Sequence, residues 1–227
     1  MSEFTTGFVI FPGLTQLDFT GPLQVLYRIP GARTEIVASS TTPVPSDCGL
    51  AMVPTTTFAD CPPLDLLCIP GGFGVAKALE DEPTMAFVRE QGKHAQYVTS
   101  VCTGAFILGA AGFLQNRRAT THWAYHHLLP RVGAIPVKER VVRDGNVFTG
   151  GGVTAGVDFA FTILQEIAGP SVARQVQLHL EYDPHPPCRA GSPTSAPADI
   201  KRMADERYEP WLVGFEAVLD RLERVRA

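Results

Sequence analysis

The sequence predicts an α/β fold: a doubly wound, mostly parallel sheet with helices on both faces and an added antiparallel hairpin. Short apolar runs of β-forming residues, such as 5–10 and 64–69, alternate with segments of helical character, such as 84–94. Parallel strands need crossover connections, so this alternation favours a parallel sheet covered on both sides. An Asp-Gly-Asn turn signal at 144–146, between the apolar flanks of 141–149, predicts the hairpin.

Each predicted element is bounded by a local sequence signal. Prolines and glycines at 12–13 and 70–72 each end a strand, and the Gly-Pro pair at 169–170 separates two helices. Small and helix-forming residues follow Cys102, so strand passes directly into helix there. In chain order we expect strands at 5–10, 34–39, 51–53, 64–69 and 96–101, the hairpin within 141–149, and helices at 23–28, 84–94, 105–111, 159–167 and 172–180.

The chain length of 227 residues fits one substantial core, and we expect a single domain over 1–227. Prolines crowd the segment 183–198, which predicts a loop without regular structure. The segment from about 199 to 225 predicts an amphipathic helix. Its apolar stripe consists of Trp211, Phe215, Val218, Leu219 and Leu222.

The composition excludes several classes of protein. A net charge of −4 gives no basic excess for nucleic acid or anionic lipid, and no stretch has the roughly 20 apolar residues of a membrane helix. Residues 1–4 lack the pattern of a secretory signal, so we expect a cytoplasmic protein. The five cysteines include no CxxC pair, which argues against disulfides and a cysteine zinc site. We expect small-molecule partners, no metal ion and no other cofactor.

Cys102 is the candidate nucleophile, because it lies at the predicted turn from strand to helix. Such a turn lies at the carboxyl edge of the sheet, where open α/β folds bind ligands. The unpaired N–H groups and the dipole of the following helix favour a thiolate, so we expect a lowered pKa. Small Ser100 and Gly104 leave the sulfur approachable. The alternative is a buried structural cysteine, as we expect for the other four cysteines.

Asp18 is the candidate proton-transfer group, placed in a loop after the first strand; the alternative is an ordinary helix N-cap. Thr103 could hydrogen-bond a substrate or satisfy backbone at the helix start. Gly71 and Gly72 allow a close approach of backbone N–H groups to a reacting atom, although a plain turn is the favoured reading.

Two further motifs are weaker. His122 and His126 are spaced by one turn of a predicted helix, but the general base and third ligand of a zinc site are missing, so we expect His122 to be a packed residue near the site. The glycine-rich segment 150–156 lacks the Gly-Lys-Ser/Thr ending of a phosphate-binding loop. A turn that opens a helix is the better interpretation.

Several segments together resemble the bacterial isocyanide hydratases, and the resemblance covers nearly the whole chain. These enzymes form a group within the class I glutamine amidotransferase-like superfamily, in the branch of the Parkinson's-disease protein and PfpI-type relatives. The resemblance implies a flavodoxin-like sheet and a homodimer. The similar segments are 17–22, 57–65, 69–72, 98–104, 119–123, 139–146, 149–152 and 190–193.

Two departures from the wider superfamily favour the hydratases. Amidotransferases and protease-like relatives have a histidine directly after the nucleophile, where this chain has Thr103. Deglycase and glyoxalase relatives carry glutamate where this chain has Asp18.

The resemblance implies a reaction in which the Cys102 thiolate attacks the terminal carbon of an isocyanide, and water hydrolyses the thioimidate to an N-substituted formamide. Asp18 would supply the proton and then position or deprotonate the water. Thr103 and N–H groups at Gly72 and the Cys102 turn would hold the substrate, and Val153 would form an apolar wall. The alternatives are a glyoxalase or deglycase acting on reactive carbonyls, and a cysteine redox sensor or chaperone without enzymatic activity.

Overall fold

A computed structural model of the chain describes residues 4–226. Its centre is a seven-stranded sheet in the order β10-β11-β7-β6-β1-β2-β5, in which every neighbouring pair is parallel except β10 and β11. Two short pairs, β3-β4 and β8-β9, lie outside it. The strands are β1 (Phe4–Val9), β2 (Ala32–Ala38), β3 (Val44–Pro45), β4 (Ala51–Met52), β5 (Thr56–Thr57), β6 (Leu66–Ile69), β7 (Tyr97–Val101), β8 (Arg118–Ala119), β9 (Ile135–Pro136), β10 (Val141–Asp144) and β11 (Val147–Gly150).

The helices form two groups, α1 with α5, and α2 with α3, α4 and α6. The α/β class, the mostly parallel sheet and the antiparallel hairpin predicted from the sequence are therefore confirmed. The helices are α1 (Gln16–Leu26), α2 (Val75–Ala78), α3 (Glu82–His94), α4 (Gly104–Ala110), a 3-10 helix (Trp123–Val132), α5 (Ala155–His179) and α6 (Ala198–Arg226).

The order of the strands brings three chain segments to one point. β1 pairs with β2 on one side and with β6 on the other, and β6 pairs with β7. The direction in which the chain adds strands thus reverses beside β1, and ligands of open α/β sheets bind outside the carboxyl ends of strands at such a point. The segments that follow β1, β6 and β7 contain Asp18, Gly71 with Gly72, and Cys102, respectively.

The first helix begins earlier than predicted. α1 starts at Gln16, not at residue 23, so Asp18 lies in the first turn of a helix and not in a loop. Thr15 occupies the N-cap position, which also excludes the alternative interpretation of Asp18 as the cap. Pro22 lies inside α1, where it has no N–H to donate to the carbonyl of Asp18. Pro22 is the seventh residue of α1, and the helix continues through it to Leu26.

The later helices follow the prediction with smaller differences. α5 runs through Gly169, whose φ of 83° and ψ of 166° kink it between the two predicted segments. Residues 183–197 form an irregular loop, and α6 begins at Ala198. Phe215, Val218 and Leu219 are buried as predicted, whereas Trp211 is 51% exposed and stacks on Phe73 with ring centroids 4.2 Å apart.

Nearly all of the buried apolar side chains among the described residues form one continuous cluster. The expectation of one domain over 1–227 stays a prediction, and residues 1–3 and 227, which it includes, lie outside the described residues. Between residues 4 and 226, no helix combines the length and the apolar character that a membrane span requires.

Candidate active site

Cys102 forms the turn between β7 and α4, in a left-handed backbone conformation with φ of 56°. Residues other than glycine rarely adopt this backbone conformation, so contacts with the surrounding structure must stabilise it. The Cys102 N–H donates to the carbonyls of Gly150 and Gly151 at 3.0 and 3.1 Å, and the Thr121 hydroxyl donates to the Cys102 carbonyl at 2.7 Å. Hydrogen bonds to both the N–H and the carbonyl of Cys102 therefore stabilise the turn, and the sulfur lies at the carboxyl end of the sheet.

Two glycines leave room for this turn. A Cβ atom at Gly104 would lie 2.3 Å from the carbonyl oxygen of Ile69, and one at Gly71 would lie 2.8 Å from the Cβ of Cys102. Neither contact is possible without a shift of the backbone. The nucleophile turn therefore packs directly on the segment that follows β6.

The Cys102 side chain is buried away from solvent. The residue is 5% exposed, and burial, followed by the nearby Asp18 carboxylate, raises the pKa of the thiol well above its usual value. The N–H groups of Thr103 and Val153 interact with the sulfur and oppose this rise. The expected lowering of the pKa by the helix start is therefore wrong, because desolvation and a like charge outweigh two N–H donors.

Asp18 is completely buried beside Cys102. Its Oδ2 accepts a hydrogen bond from the Gly71 N–H at 3.1 Å, while Oδ1 is buried with no partner of regular hydrogen-bond geometry among the described residues. Burial raises the pKa of Asp18 to about 7, and the Cys102 thiol partly opposes the rise. Two adjacent acids whose pKa values are both raised titrate as a pair that keeps a proton near neutral pH.

The Thr103 hydroxyl is hydrogen-bonded to the backbone of Gly72, the second of the two glycines after β6. The Thr103 hydroxyl accepts from the Gly72 N–H at 2.9 Å and can donate to the Gly72 carbonyl at 3.2 Å. Gly72 has φ of +122°, a conformation that needs glycine. The N–H groups of Gly71 and Gly72 thus point at Asp18 and Thr103, so the expectation that Gly72 holds substrate through its N–H is corrected. The N–H groups that face the sulfur belong to Thr103 and Val153.

A cavity of about 750 Å³ opens beside this cluster. Its wall includes Val153, together with Gly152 and Thr121; that Val153 forms an apolar wall for a substrate stays a prediction. Cys102 and Asp18 are not part of the wall, and Val153, whose N–H interacts with the sulfur, connects the cavity to the nucleophile. Parts of the proline-rich loop and of α6 close the far side, namely residues 191–194, Lys201, Asp205, Tyr208 and Leu212.

His122 lies on the wall of this cavity, at the N-cap of the 3-10 helix and not on an α-helix. Its Nδ1 accepts from the Ala124 N–H at 3.3 Å, and burial lowers its pKa to about 4. The imidazole is therefore neutral at pH 7. The part of the chain that the structure describes contains no group of three or more His, Cys, Asp or Glu side chains placed to bind a metal ion.

Tyr208 is the cavity residue that sequence reasoning missed. It lies on α6, far along the chain from the other site residues, and its hydroxyl is 3.4 Å from Nε2 of His122. In the sequence it is one polar aromatic residue of an amphipathic helix, and no local motif singles it out. The similarity of residues 190–193 to the hydratases is the one signal that the C-terminal part contributes to the site.

Comparison with known proteins identifies a family and several relatives of this chain. A model of the DJ-1/PfpI family matches residues 6–166. The chain is 57% identical over 206 residues to a protein of Pseudomonas putida named isonitrile hydratase, covering 91% of this chain and 90% of that one. It is 27% identical to the Parkinson disease protein 7 homolog of Danio rerio, covering 76% of this chain and 94% of the relative.

A solved structure of a THiJ/PfpI family protein from Pseudomonas syringae superposes on the chain with a TM-score of 0.94 and 43% sequence identity. The match covers 96% of this chain and 91% of that one. This likeness therefore includes the loop and α6, whereas the family model ends before them.

Proposed function

The chain belongs to the DJ-1/PfpI family, and on that basis we propose that it is an isocyanide hydratase, an enzyme that converts isocyanides to N-substituted formamides. The relative from Pseudomonas putida, whose name states hydration of isonitriles, another word for isocyanides, supports this assignment. Thr103 in place of a histidine after the nucleophile also supports it, because a Cys-His pair at adjacent positions is absent.

The single observation that carries the mechanism is the buried pair of Cys102 and Asp18. An isocyanide carbon must gain both a nucleophile and a proton, and a thiol beside a carboxylate supplies both from one place. With the pKa of Asp18 raised to about 7 and that of Cys102 higher still, the pair holds one proton just above neutral pH. The substrate carries no net charge, so the dry site does not have to desolvate an ion to bind it.

In the first step, the Asp18 carboxylate takes the thiol proton while the Cys102 sulfur bonds to the terminal carbon of the isocyanide. The proton then moves from Asp18 to that carbon, which gives the thioimidate Cys102–S–CH=N–R. Asp18 is again a carboxylate at the end of this step. Oδ1, which has no regular hydrogen-bond partner in the described structure, is the oxygen available for both transfers.

In the second step, Asp18 acts as the general base for water. Hydroxide adds to the thioimidate carbon, and the proton taken from water passes to the nitrogen. The tetrahedral intermediate then collapses: the carbon–sulfur bond breaks, the hydroxyl proton returns through Asp18 to Cys102, and R–NH–CHO leaves. The sum is one isocyanide and one water converted to one formamide.

The backbone around the pair stabilises the charge that moves through it. The N–H groups of Thr103 and Val153 face the sulfur, so they stabilise it when it is a thiolate and when it leaves. Gly71 and Gly72 act indirectly: the Gly71 N–H orients Asp18, and Gly72 fixes the Thr103 hydroxyl. The Val153 side chain provides an apolar surface for the substrate.

We also propose that the enzyme is a cytoplasmic homodimer that needs no cofactor and uses only protein groups and water. All five cysteines are free thiols, as in a reducing compartment. Sedimentation velocity measures the assembly state directly.

The experiment that tests the function is a substrate assay on the purified protein. We expect an aryl isocyanide to disappear with formation of one equivalent of the matching formamide, measured by chromatography against the uncatalysed rate. Formation of lactate from methylglyoxal, with no isocyanide turnover, would favour a glyoxalase. If peroxide oxidises Cys102 to the sulfinic acid while neither substrate is consumed, the redox sensor is the better interpretation.

A further inference from the structure

Tyr208 extends the site beyond the residues assigned so far. It lies on α6 and lines the cavity together with His122, at the start of the 3-10 helix, and Val153, which lies between β11 and α5. Among the described residues, its hydroxyl makes one hydrogen bond, to Nε2 of His122 at 3.4 Å.

The contacts of His122 determine the direction of that hydrogen bond. Nδ1 accepts the Ala124 N–H, so it carries no proton. The imidazole is neutral because burial lowers its pKa to about 4, so its one proton must be on Nε2. His122 therefore donates to the Tyr208 oxygen, and the Tyr208 O–H remains available to donate to a molecule in the cavity.

Several contacts fix the position of the tyrosine ring. Its centroid lies 5.0 Å from that of His122, 5.6 Å from that of Trp123 and 6.3 Å from that of Phe73. Gly152 allows His122 to reach it, since a Cβ there would lie 2.5 Å from the imidazole Cδ2. The hydroxyl is thus held in place before any substrate binds, which limits the entropy lost on binding.

The tyrosine also lies within electrostatic range of the nucleophile. Burial, and then the nearby Cys102 thiol, raise the pKa of Tyr208, and Asp18 contributes in the same direction. The phenol therefore stays protonated and acts as a hydrogen-bond donor, not as an acid that gives up its proton.

We propose that Tyr208 binds the substrate nitrogen, donating its O–H to the thioimidate C=N while water adds to the carbon, with His122 as its positioning residue. This inference rests on the proposed hydratase function. When hydroxide adds to the carbon, the electron pair of the C=N bond moves onto nitrogen, and a donor there stabilises the developing charge. The nitrogen takes its proton from Asp18, and Tyr208 keeps its own.

The test compares Tyr208→Phe with Tyr97→Phe. Both variants lose one hydroxyl, but Tyr97 lies at the opposite end of β7 from Cys102. We expect Tyr208→Phe to lower kcat for an aryl isocyanide by about 10- to 100-fold, the effect of one donor to a developing charge. Because only hydrolysis slows, intact-mass spectra at steady state should show the thioimidate, a gain equal to the mass of the isocyanide. Tyr97→Phe should match wild type in both measurements.

The positioning role of His122 has its own pair of variants. His122→Gln can place an amide N–H near the position of Nε2, whereas the shorter His122→Asn cannot. We expect His122→Asn to accumulate the thioimidate as Tyr208→Phe does, and His122→Gln to keep kcat within a few-fold of wild type. A role in folding alone would lower the amount of active protein in both variants without any accumulated adduct.

The outcomes separate this inference from the proposed function. If wild type turns over isocyanide and Tyr208→Phe has the wild-type kcat, or a lower kcat with no accumulated adduct, the role of Tyr208 is overturned while the hydratase function stands. If wild type fails to turn over isocyanides, both are overturned.

Discussion

The middle of β6 and the turn after β7 each bury a cysteine of the same sheet, Cys68 and Cys102. Burial raises the pKa of both thiols, that of Cys68 to about 12. They differ in backbone and surroundings: Cys68 lies in a regular strand against Thr99, whereas Cys102 lies in a left-handed turn beside a carboxyl group and two N–H donors.

The comparison separates two routes to a reactive thiol. In the first route, a low pKa keeps the cysteine as a thiolate at neutral pH, but the pKa values of both cysteines are raised. Cys102 differs from Cys68 in its direct hydrogen bond with the buried Asp18, which acts on Cys68 only through its charge. In the proposed mechanism, Asp18 takes the Cys102 proton when the substrate arrives. On this proposal, the reactivity of Cys102 follows from the partner of its thiol, whereas burial alone leaves a cysteine inert.

The largest expected difference is between the two alanine substitutions. Cys102→Ala should lower kcat/KM for an isocyanide at least about 1000-fold, because the covalent route is lost. Cys68→Ala should retain full kcat and instead lower the free energy of unfolding by about 1 to 2 kcal/mol through the small cavity it leaves. Steady-state assays and urea unfolding of both variants measure this contrast. Equal activity losses would remove the distinction between the two cysteines.

Replacing the carboxyl group should make the surroundings of Cys102 more like those of Cys68. We expect Asp18→Asn to lower kcat about 100- to 1000-fold, since proton transfer loses its carrier while the amide keeps the shape of the side chain. Asp81→Asn is the matched control, because Asp81 caps α3 away from this site. Wild-type activity in Asp18→Asn would show that the thiol needs no carboxylate.

The pH profile sharpens the same point. Below pH 7 both members of the pair are protonated, so no base can accept the thiol proton; above pH 7 Asp18 is a carboxylate. We therefore expect kcat/KM of wild type to rise as pH increases through about 7. In Asp18→Asn, this increase of kcat/KM with pH should be absent. A profile that is flat from pH 5 to 9 in the wild type would be inconsistent with the paired titration.

The last expected effect is on the pH dependence of stability. The Asp18 carboxyl ionises near its usual pKa of 3.8 in the unfolded chain and near 7 in the folded protein, so the folded state binds an extra proton between those values. Wild type should therefore lose stability as pH rises from 4 to 7. At pH 8, Asp18→Asn should be more stable than wild type by roughly 2 to 4 kcal/mol, and this gain should disappear near pH 4. Urea unfolding at both pH values measures it.

The sequence was sufficient for the fold class and for the position of Cys102 at a turn from strand to helix, because both depend on local patterns. Alternating apolar runs and turn signals predict the strands, and a strand that runs into a helix at Cys102 predicts the elbow. The start of α1 at Gln16 was not predicted, because Gly21 and Pro22 within it have low helix propensity, and the folded chain overrides that local preference.

The electrostatics and the far wall of the site could not be predicted in this way. A helix start argues for a low pKa at Cys102, but the opposing effects depend on burial and on Asp18, which only the folded chain brings beside the sulfur. The partners of the Gly71 and Gly72 N–H groups are likewise distant in sequence. Tyr208 follows Cys102 by more than a hundred residues and a proline-rich loop, so no spacing rule connects them.

The most direct test of the account is to locate the covalent intermediate. Protein mixed with an aryl isocyanide and quenched in acid within milliseconds would be digested and mapped by mass spectrometry. The account predicts a mass gain equal to the isocyanide on the peptide that contains Cys102 and none on that of Cys68 or of the exposed Cys48 and Cys188. Catalytic turnover with no adduct on Cys102, or with the adduct on another cysteine, would contradict it.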